Sequence, residues 1–354
     1  MGRYIINLVE EITKKKEVDW LIFVYSSSKK YFPEKDNIHY IVLPDVYSHK
    51  LLRIMFEQCI LPFILLKYNV NIYHNPCFSL PMWCPCKSIV TIADLTFFSH
   101  PQYHLSQKNM YFRFMIPYAI KKADAVIAIS ENTKEDIINS FPSYSKKIHA
   151  TLLAHDSYFK PIDKEHAKQF VHNKYKLPSS FILFVVMVEP RKNIKAIIDA
   201  FSMLNPSLQL VIVGKKGWAY EDIFQSVKEK RLEEKVIFTG YVSDQDLPYF
   251  YSAASVFVYP SFYEGFGIPV LEAMACGCPV VTSNNSSMKE IAGNAALLVD
   301  PYSVDSIKNA MKAILKDVTL QKILSKKGIT HARNFTWKLC AEKTLKVYNE
   351  IGRK

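Results

Sequence analysis

The chain has 354 residues, of which 49% are hydrophobic and 22% are charged. This balance is typical of a globular protein with a large core, and it excludes disordered, collagen-like and coiled-coil chains. The length predicts two domains. The formal charge of +12 suits an anionic partner such as a lipid surface, a nucleic acid or a phosphorylated ligand, although solvated lysines are the simpler explanation.

The cysteines and the apolar runs of the sequence indicate in which part of the cell the protein is expected. The seven cysteines, with no secretory signal before them, favour a reducing cytoplasm. Cys84-Pro-Cys86 and Cys276-Gly-Cys278 are C-x-C pairs, a spacing that favours small buried residues over a zinc site. The longest apolar run, Cys59 to Leu66, falls short of the roughly 20 residues that a membrane-spanning helix needs. We therefore expect a cytoplasmic protein for which peripheral contact with the anionic inner face of the membrane stays open.

Short apolar runs alternate with segments of helical period, which predicts an α/β protein with parallel sheets. In the first half the predicted strands are 20–25, 38–43, 70–74, 88–92, 125–129 and 149–153, and the predicted helices are 4–12, 49–67, 109–122 and 131–140. In the second half the predicted strands are 181–188, 209–213, 236–239, 255–259 and 279–282, and the predicted helices are 193–204, 244–253, 269–276, 304–315 and 337–351.

A polar stretch over 155–164 separates the two halves, so we predict one Rossmann-like domain over 1–160 and another over 161–354. Ligands of doubly wound sheets bind beyond the carboxyl ends of the strands, which makes a cleft between two facing domains the default site. After Gly2 the next glycine is Gly214. The first domain thus has no glycine-rich phosphate loop, and a phosphorylated ligand is expected in the second.

The segment from Tyr259 to Asn284 carries the densest set of candidate site residues. A predicted strand is followed by a loop with Glu264 and then by a helix with Glu272 in its first turns. The backbone N–H groups of Gly265, Phe266 and Gly267 would point from the helix start towards an anion or hydroxyls. A carboxylate accepts two hydrogen bonds from a vicinal diol, which suits ribose or a sugar. The alternative is that Glu264 is a solvated loop residue and Glu272 only favours the helix terminus.

This segment resembles the Glu-x7-Glu motif of the retaining family-4 glycosyltransferases. Further resemblances in the second half are Glu189-Pro-Arg-Lys-Asn193, Leu210–Gly214, Phe238–Val242 and Ser283–Ser287; in the first half they are His74-Asn-Pro76, Asp94-Leu-Thr-Phe97 and Ala123–Glu131. Essentially the whole chain is covered. The resemblance implies a GT-B fold, in which two doubly wound Rossmann-like domains face a cleft and the C-terminal helix packs back towards the N-terminal domain.

For the donor half, the resemblance implies roles residue by residue. Glu272 would hold the nucleotide ribose. Glu264, as a catalytic residue, would contact the transferring sugar together with the backbone of 265–267. Arg191 and Lys192 would face the diphosphate, where two cations and a helix start stabilise the departing negative charge without a metal. Read alone, the Arg-Lys pair would only be a solvated helix start.

Gly214, Tyr241 and Val242 fall among the donor-binding positions that the resemblance implies. On the acceptor side, His74 and Asp94 end or follow first-domain strands and would face the cleft, and Asp94 is also a catalytic candidate. No cofactor is expected beyond the nucleoside-diphosphate sugar that serves as donor substrate.

Asp244-Gln-Asp246 spells the D-x-D metal signature of other glycosyltransferases. Because the pair follows a predicted strand and opens a predicted helix, helix capping and dipole complementarity explain it better than a metal ion does. We therefore predict no bound metal.

Three departures from the family pattern stand out. Ala93 occupies the place of a usual histidine, and Val186 the place of a usual glycine before Glu-Pro-Arg-Lys. The chain matches the family from the loop after its first strand onwards, so we expect either that the reading frame begins late or that the first sheet is incomplete.

The sequence therefore supports a retaining hexosyl- or deoxyhexosyltransferase that uses a nucleoside-diphosphate sugar. Its expected acceptor is a saccharide, in particular a lipid-linked one, in polysaccharide or lipopolysaccharide synthesis. One alternative is a relative that binds sugar nucleotide or glycan but has lost transfer. A nucleic-acid binder is disfavoured, because the aromatic residues fall in core-like segments rather than between lysines on one face.

Overall fold

The computed structural model describes residues 2–104, 106–185, 189–204, 207–215 and 221–353. The chain forms two compact units. The first comprises Met1–Leu153 and Trp337–Lys354, and the second comprises Ala154–Thr336. The chain thus passes between units a few residues before position 160, and its last helix belongs to the first unit. The family resemblance led us to expect that packing, although our sequence-based domain limits counted the helix with the second half.

The first unit alternates helices and parallel strands. Its strands are β1 (Trp20–Tyr25), β2 (Ile38–Leu43), β3 (Ile72–Asn75), β4 (Lys87–Ile92), β5 (Ala125–Ala128) and β6 (Ile148–Ala150). Its α-helices are α1 (Gly2–Ile12), α2 (Lys50–Met55), α3 (Leu61–Lys67), α4 (Thr96–Ser99), α5 (Ser106–Lys122), α6 (Glu131–Ser140) and the terminal α15 (Trp337–Gly352). A π-helical turn over Phe56–Ile60 joins α2 to α3.

Within the described residues, these strands form a two-stranded sheet, β1-β2, and a four-stranded sheet, β3-β4-β5-β6, all parallel. Helix α15 packs against α1 and against the four-stranded sheet, where Val347 and Ile351 join a buried cluster with Ile89 and Ile127. Helix α15 therefore completes the core of the first unit, because its apolar face covers the sheet.

The second unit repeats the alternation. Its strands are β7 (Phe181–Val185), β8 (Gln209–Val213), β9 (Val236–Gly240), β10 (Val256–Tyr259), β11 (Val280–Ser283) and β12 (Leu297–Val299). Its helices are α7 (Lys164–Tyr175), α8 (Ile194–Leu204), α9 (Glu221–Glu229), α10 (Leu247–Ala253), α11 (Ile268–Ala275), α12 (Ser286–Ala292), α13 (Val304–Lys316) and α14 (Val318–Ala332).

The strands of the second unit form one parallel sheet in the order β12-β11-β10-β7-β8-β9. Strands β7 and β10 are adjacent at its centre and are buried along their whole length. Such continuous apolar strands are what a parallel sheet with helices on both faces requires. The carboxyl ends of β7 and β10 therefore meet at one edge of the sheet, which is where ligands of this architecture bind.

The predicted elements agree closely with the structure where a run is long and strongly apolar, as at β1, β2 and β8. Several predictions need correction. The helix expected over 49–67 is interrupted by the π-helical turn, and the stretch around 164 begins α7. Helices α9, α12 and α14 and the short strand β12 were missed. The part of the predicted strand 181–188 beyond residue 185, including Val186, lies outside the described residues.

The expectation that the cysteines of the two C-x-C pairs are small buried residues is correct for Cys276 and Cys278. Cys84 and Cys86 are partly buried, with their sulfur atoms 3.8 Å apart. Helices long and apolar enough to cross a bilayer do not occur in the part of the chain that the structure describes.

Candidate active site

The candidate site lies in the second unit, beyond the carboxyl ends of β7 and β10. A single 3-10 turn over Pro190–Lys192 carries two cations after β7. The loop after β10 carries Glu264. Because β7 and β10 pair with each other, the two segments that follow them lie side by side. Arg191 and Glu264 are therefore in contact although more than 70 residues separate them in the sequence.

Glu264 holds both cations. Nη1 of Arg191 donates to Oε2 at 2.8 Å, and Nζ of Lys192 donates to Oε1 at 2.7 Å. Arg191 also donates to the carbonyl oxygen of Tyr263 at 2.8 Å. Glu264 is only 6% exposed and Lys192 only 7%. One carboxylate thus orients two basic side chains in a largely desolvated place, where charge interactions are stronger than in water.

Tyr259, the last residue of β10, is the third partner of this carboxylate. Its hydroxyl donates to Oε1 of Glu264 at 3.1 Å and lies 3.0 Å from Nζ of Lys192, which donates to it. Burial, reinforced by the nearby Glu264 charge, raises the pKa of the Tyr259 hydroxyl well above its usual range. The tyrosine therefore stays protonated and neutral, and its hydroxyl forms hydrogen bonds with both the Lys192 ammonium group and the Glu264 carboxylate.

The charge state of Glu264 is set by two opposing effects. Burial alone would raise its pKa, but the neighbouring Arg191 and Lys192 outweigh burial and lower the pKa to about 2. Glu264 is therefore a carboxylate at neutral pH. Because it is also buried, the alternative that it is a solvated loop residue is wrong.

The loop after Glu264 is fixed by serines at the start of α12. The Ser287 hydroxyl lies 2.8 Å from the carbonyl oxygens of both Glu264 and Phe266, so its single hydrogen is shared between them or donated to one. The backbone N–H of Glu264 donates to the Ser286 hydroxyl at 3.2 Å. Gly267 ends the loop with a φ of 108°, and a Cβ there would lie 2.1 Å from Cε of Met288. The backbone conformation favours glycine, and any side chain at this position would also have to displace the end of the Met288 side chain.

Glu272 lies inside α11 and is 2% exposed. Its Oε2 accepts a hydrogen bond from the Tyr251 hydroxyl at 2.9 Å, and Tyr251 on α10 is fully buried. The structure thus brings Arg191, Lys192 and Glu264 together. Glu272 is held separately, by the hydrogen bond from Tyr251 on α10.

Asn193 follows the two cations and anchors their turn. Its backbone has a φ of 59°, a left-handed conformation that asparagine tolerates better than most residues. Its Nδ2 donates to the carbonyl oxygens of Pro260 and Pro301, at 3.0 and 2.6 Å. The turn that carries Arg191 and Lys192 is therefore tied to the loop after β10 by backbone as well as by charge.

The other predicted donor residues lie at the ends of β8 and β9. Gly214 donates its backbone N–H to the carbonyl oxygen of Gly240 at 2.8 Å. Tyr241 is 64% exposed, with Nζ of Lys215 4.9 Å from the centre of its ring, whereas Val242 is buried. These residues share the sheet edge with the cation pair, and their donor-binding role stays a prediction.

In the first unit, both nitrogens of His74 have hydroxyl partners. Nδ1 lies 2.7 Å from the Tyr348 hydroxyl on α15, and Nε2 lies 2.8 Å from Oγ1 of Thr91. Burial lowers the pKa of His74 to about 3, so the imidazole is neutral. His74 connects β3, β4 and the terminal helix, and its acceptor-side role stays a prediction.

Asp94 directly follows β4, as predicted, and its Oδ1 accepts hydrogen bonds from the backbone N–H and the hydroxyl of Thr96. Ala93, just before it, is buried, and its carbonyl oxygen accepts from the Thr133 hydroxyl at 3.2 Å. Asp94 thus shapes the start of α4, and its catalytic role stays a prediction.

Asp246 of the D-x-D pair has a different role from the predicted one. It precedes α10, but its side chain does not cap that helix. Instead Oδ2 accepts from Lys174 at 2.7 Å and from the Tyr175 hydroxyl at 2.6 Å, which joins α10 to α7. Across the described residues, no three His, Cys, Asp or Glu side chains are grouped so that they could hold a metal ion.

Two residues that matter to the site escaped the sequence analysis. Tyr259 looked like the end of an apolar strand, and Tyr251 like a helix-core aromatic. A signal existed in both cases, because a buried tyrosine hydroxyl usually needs a hydrogen-bond partner and the nearest predicted polar groups were the two glutamates.

Each half of the chain matches a family model of glycosyltransferases. Residues 1–151 match the family model described as Glycosyltransferase Family 4, and residues 165–331 match the model described as Glycosyl transferases group 1. The O-antigen chain mannosyltransferase B of Escherichia coli is 32% identical over 98% of this chain and 95% of its own length. A serotype-specific mannosyltransferase of Escherichia coli is 34% identical over 72% of this chain, which spans only 32% of that longer protein.

Solved structures agree on the fold. The sucrose-phosphate synthase of Thermosynechococcus elongatus superposes with a TM-score of 0.78 at 22% identity, covering 98% of this chain and 92% of that one. A glycosyltransferase from Rickettsia africae superposes with a TM-score of 0.77 at 18% identity, covering 99% and 94%. The full-length similarity in sequence and the architecture of both units lead to one conclusion: the chain belongs to the family-4, group-1 glycosyltransferases and has the GT-B fold.

Proposed function

We propose that the chain transfers a hexose, in particular mannose, from a nucleoside-diphosphate sugar to a lipid-linked saccharide during surface-polysaccharide synthesis, with retention of configuration. The observation that carries this proposal is the buried Glu264–Arg191–Lys192 cluster. The relatives named as O-antigen mannosyltransferases support the sugar and the pathway type.

The chemistry of transfer needs the charges that this cluster offers. When the bond between the sugar C1 and the donor oxygen breaks, positive charge develops on the sugar ring and negative charge on the departing diphosphate. Arg191 and Lys192 carry two positive charges against one on Glu264, and the carboxylate of Glu189 lies 3.9 Å from Arg191 as a second negative charge. The two carboxylates thus balance the two cations when no donor is present. We infer that Arg191 and Lys192 face the diphosphate and that their charges stabilise it as it leaves.

Glu264 acts in this proposal mainly by orientation. Its two oxygens already accept from Arg191, Lys192 and Tyr259, which uses most of the hydrogen-bonding capacity of a carboxylate. It therefore fixes both cations before the donor arrives, which avoids reorganisation during the reaction. Glu272 would hold the ribose, and the backbone of 265–267 would contact the transferring sugar.

The acceptor and location belong to the same proposal. A lipid-linked saccharide has its lipid in a bilayer, so the enzyme would work as a peripheral protein at the inner face of the cytoplasmic membrane. The formal charge of +12 favours contact with anionic lipids there.

Thermal unfolding with nucleotides tests the donor half. GDP, UDP, dTDP and ADP are each added to the unmodified chain, to Glu272→Ala and to a control, Glu233→Ala, at an exposed position of the same unit. A nucleotide at 100 times its dissociation constant adds about 2.7 kcal/mol of stability. We expect one nucleotide to raise the Tm of the unmodified chain and the control, but not that of Glu272→Ala.

Transfer is then measured with the matching labelled sugar nucleotide and membranes as the acceptor source. Label in a lipid-extractable saccharide, with the product linkage assigned by NMR, supports the proposal. Nucleotide binding without transfer to any acceptor would instead support a binding protein that has lost its chemistry. Inversion of the anomeric centre would contradict the retaining mechanism.

A further inference from the structure

The loop between β3 and β4 ends in two cysteines whose side chains meet. The sulfur atoms of Cys84 and Cys86 lie 3.8 Å apart, which is hydrogen-bonding distance for two thiols. Both residues are partly buried, and both are free thiols. The pair belongs to the first unit, whereas the cluster of Arg191, Lys192 and Glu264 belongs to the second. The two thiols are therefore a second group of reactive side chains, which the proposed transfer does not use.

Both ends of the segment that carries the thiols are anchored. Before it, the backbone N–H of Met82 donates to Oε1 of Gln58 at 2.8 Å, and the carbonyl oxygen of Met82 accepts from the Tyr118 hydroxyl at 2.7 Å. After it, β4 begins at Lys87 and pairs with β3. Pro85, between the two cysteines, has a restricted φ. The surrounding structure thus holds the two sulfur atoms near each other, which favours a reaction between them over reactions with separate molecules.

A cavity of about 220 Å³ that opens to solvent gives small molecules access to the pair. Cys84 and Cys86 line it together with Lys122, which is exposed, and Asp124. The Asp124 carboxylate already accepts a hydrogen bond from the backbone N–H of Ser88 at 2.8 Å. Reactive cysteines are commonly found in partly exposed places close to a cation. The thiols are therefore accessible to a small reactant without unfolding of the unit.

The hydrogen bond between the two thiols makes one of them more acidic than the other. When Cys84 ionises, its sulfur accepts the hydrogen bond of the Cys86 thiol, and this effect outweighs burial and lowers the pKa of Cys84. The same contact, together with burial, raises the pKa of Cys86. The thiolate is the form that attacks a disulfide. Cys84 is therefore the attacking residue, and Cys86 is the one that completes the exchange.

We propose that Cys84 and Cys86 form a reversible thiol–disulfide site, which a small disulfide such as glutathione disulfide oxidises. The Cys84 thiolate attacks one sulfur of the small disulfide and forms a mixed disulfide, and the first small thiolate leaves with the proton that Cys84 gave up. Cys86 then loses its proton and attacks Sγ of Cys84. The second small thiolate leaves and takes up that proton. The dithiol is thus oxidised by two electrons, and the small disulfide is reduced to two thiols.

The disulfide expected here is easily reduced. A disulfide bond is about 2 Å long, so the sulfur atoms must approach each other within a segment that is anchored at both ends. Strain of this kind makes a disulfide more reducible, and strained or exposed disulfides are the labile ones. A transient disulfide also fits the reducing compartment that the cysteine usage predicts. The oxidised and reduced forms should therefore interconvert when the ratio of oxidised to reduced glutathione changes.

The test incubates the full chain in buffers with different ratios of oxidised to reduced glutathione. Free thiols are then alkylated with iodoacetamide, and mass spectrometry of peptides shows the state of each cysteine. Cys84→Ala and Cys86→Ala each remove one partner, and Cys59→Ala is the matched control, because Cys59 is an exposed cysteine of the same unit. Circular dichroism establishes that each variant is folded. The zinc content of the purified chain is measured in parallel, because zinc is the other ligand that a pair of thiols attracts.

We expect Cys84 and Cys86 of the parent and of the control to become linked to each other, and excess reduced glutathione to restore both thiols. Cys86→Ala should keep one glutathione on Cys84, and alkylation of Cys84 at pH 7 should be several times slower in this variant than in the parent. Cys84→Ala should leave Cys86 as a free thiol. Alkylation of both cysteines of the parent at every glutathione ratio would overturn the proposal. One zinc ion per chain that is lost in Cys84→Ala would also overturn it, in favour of a metal site.

Discussion

The two units use the same alternation of helices and parallel strands in different ways. In the second unit, β7 lies between β8 and β10 at the centre of a continuous sheet, and the segment after it delivers Arg191 and Lys192 to Glu264. In the first unit, the described strands form two separate sheets. None of these strands joins the two sheets in the way that β7 joins β8 and β10 in the second unit.

The chemistry at the strand ends differs accordingly. The second unit holds charged groups that are buried and paired, whereas the first unit holds a neutral histidine whose two ring nitrogens have hydroxyl partners. Buried charge must be fixed by partners, because an unpaired ion in a desolvated place is costly. The two units thus meet the cost of burying polar side chains differently: the second pairs buried charges with each other, and the first holds a neutral imidazole between two hydroxyl groups.

The largest effect is expected at the charge cluster. Glu264→Ala leaves Arg191 and Lys192 buried without their shared carboxylate, which should cost about 3–5 kcal/mol of stability and abolish detectable transfer. Glu264→Gln is the matched control, because it keeps the shape and the oxygen acceptor but removes the charge, and it should cost less. Urea unfolding and single-turnover assays measure the two effects. An Ala variant as stable as the parent would show that the cluster is not a fixed element.

A smaller effect is expected at Glu272. Tyr251→Phe removes the donor 2.9 Å from this buried carboxylate and should cost about 1–3 kcal/mol of stability. If Glu272 holds the ribose, the same variant should also raise the KM for the donor. The control Tyr249→Phe changes a partly exposed tyrosine on the same helix. Equal KM values in Tyr251→Phe and the parent would separate Glu272 from donor binding.

The first unit should respond to acid through His74, because burial lowers its pKa from 6.5 to about 3. Between these values the unfolded chain binds a proton that the folded chain does not, so stability falls as the pH falls below 6.5. The slope is at most about 1.4 kcal/mol per pH unit. His74→Gln should flatten the dependence of the urea midpoint on pH between these limits, and the exposed His39→Gln controls for loss of a histidine elsewhere. Parallel curves for His74→Gln and the parent would contradict the assigned charge state.

Much of this architecture could be predicted from the sequence, because a parallel sheet covered on both faces requires continuous apolar strands. The run 209–213 is short, rich in β-branched residues and followed by Gly214, which favours a strand over a buried helix. The interruption of the 49–67 helix could not be predicted, since Pro62 permits a helix start and the π-helical turn depends on how Phe56 and Leu61 pack. Helix α7 was missed because its polar composition resembles that of a linker.

The residues of the candidate site could be predicted from the sequence, but the contacts among them could not. The motif pointed to Arg191, Lys192 and Glu264 as separate contacts to a donor. That the carboxylate holds both cations depends on β7 and β10 being neighbours, a long-range pairing that no local pattern encodes. The capping role predicted for Asp246 was wrong for a similar reason, because its partners Lys174 and Tyr175 lie on α7, more than 70 residues earlier in the sequence.

The smallest expected effect compares two helix ends, one in each unit. Asn69 follows α3 with a φ of 49°, and Lys176 follows α7 with a φ of 57°. Both hold the left-handed conformation that ends many helices, but asparagine tolerates it better than lysine, whose Cβ crowds the backbone. Lys176→Gly should therefore raise the free energy of unfolding by about 1 kcal/mol, and Asn69→Gly by less. Lys176→Ala keeps the Cβ while removing the charge and should change little; urea unfolding of the three variants decides, and an equal gain from alanine and glycine would assign the effect to the side chain instead of the backbone.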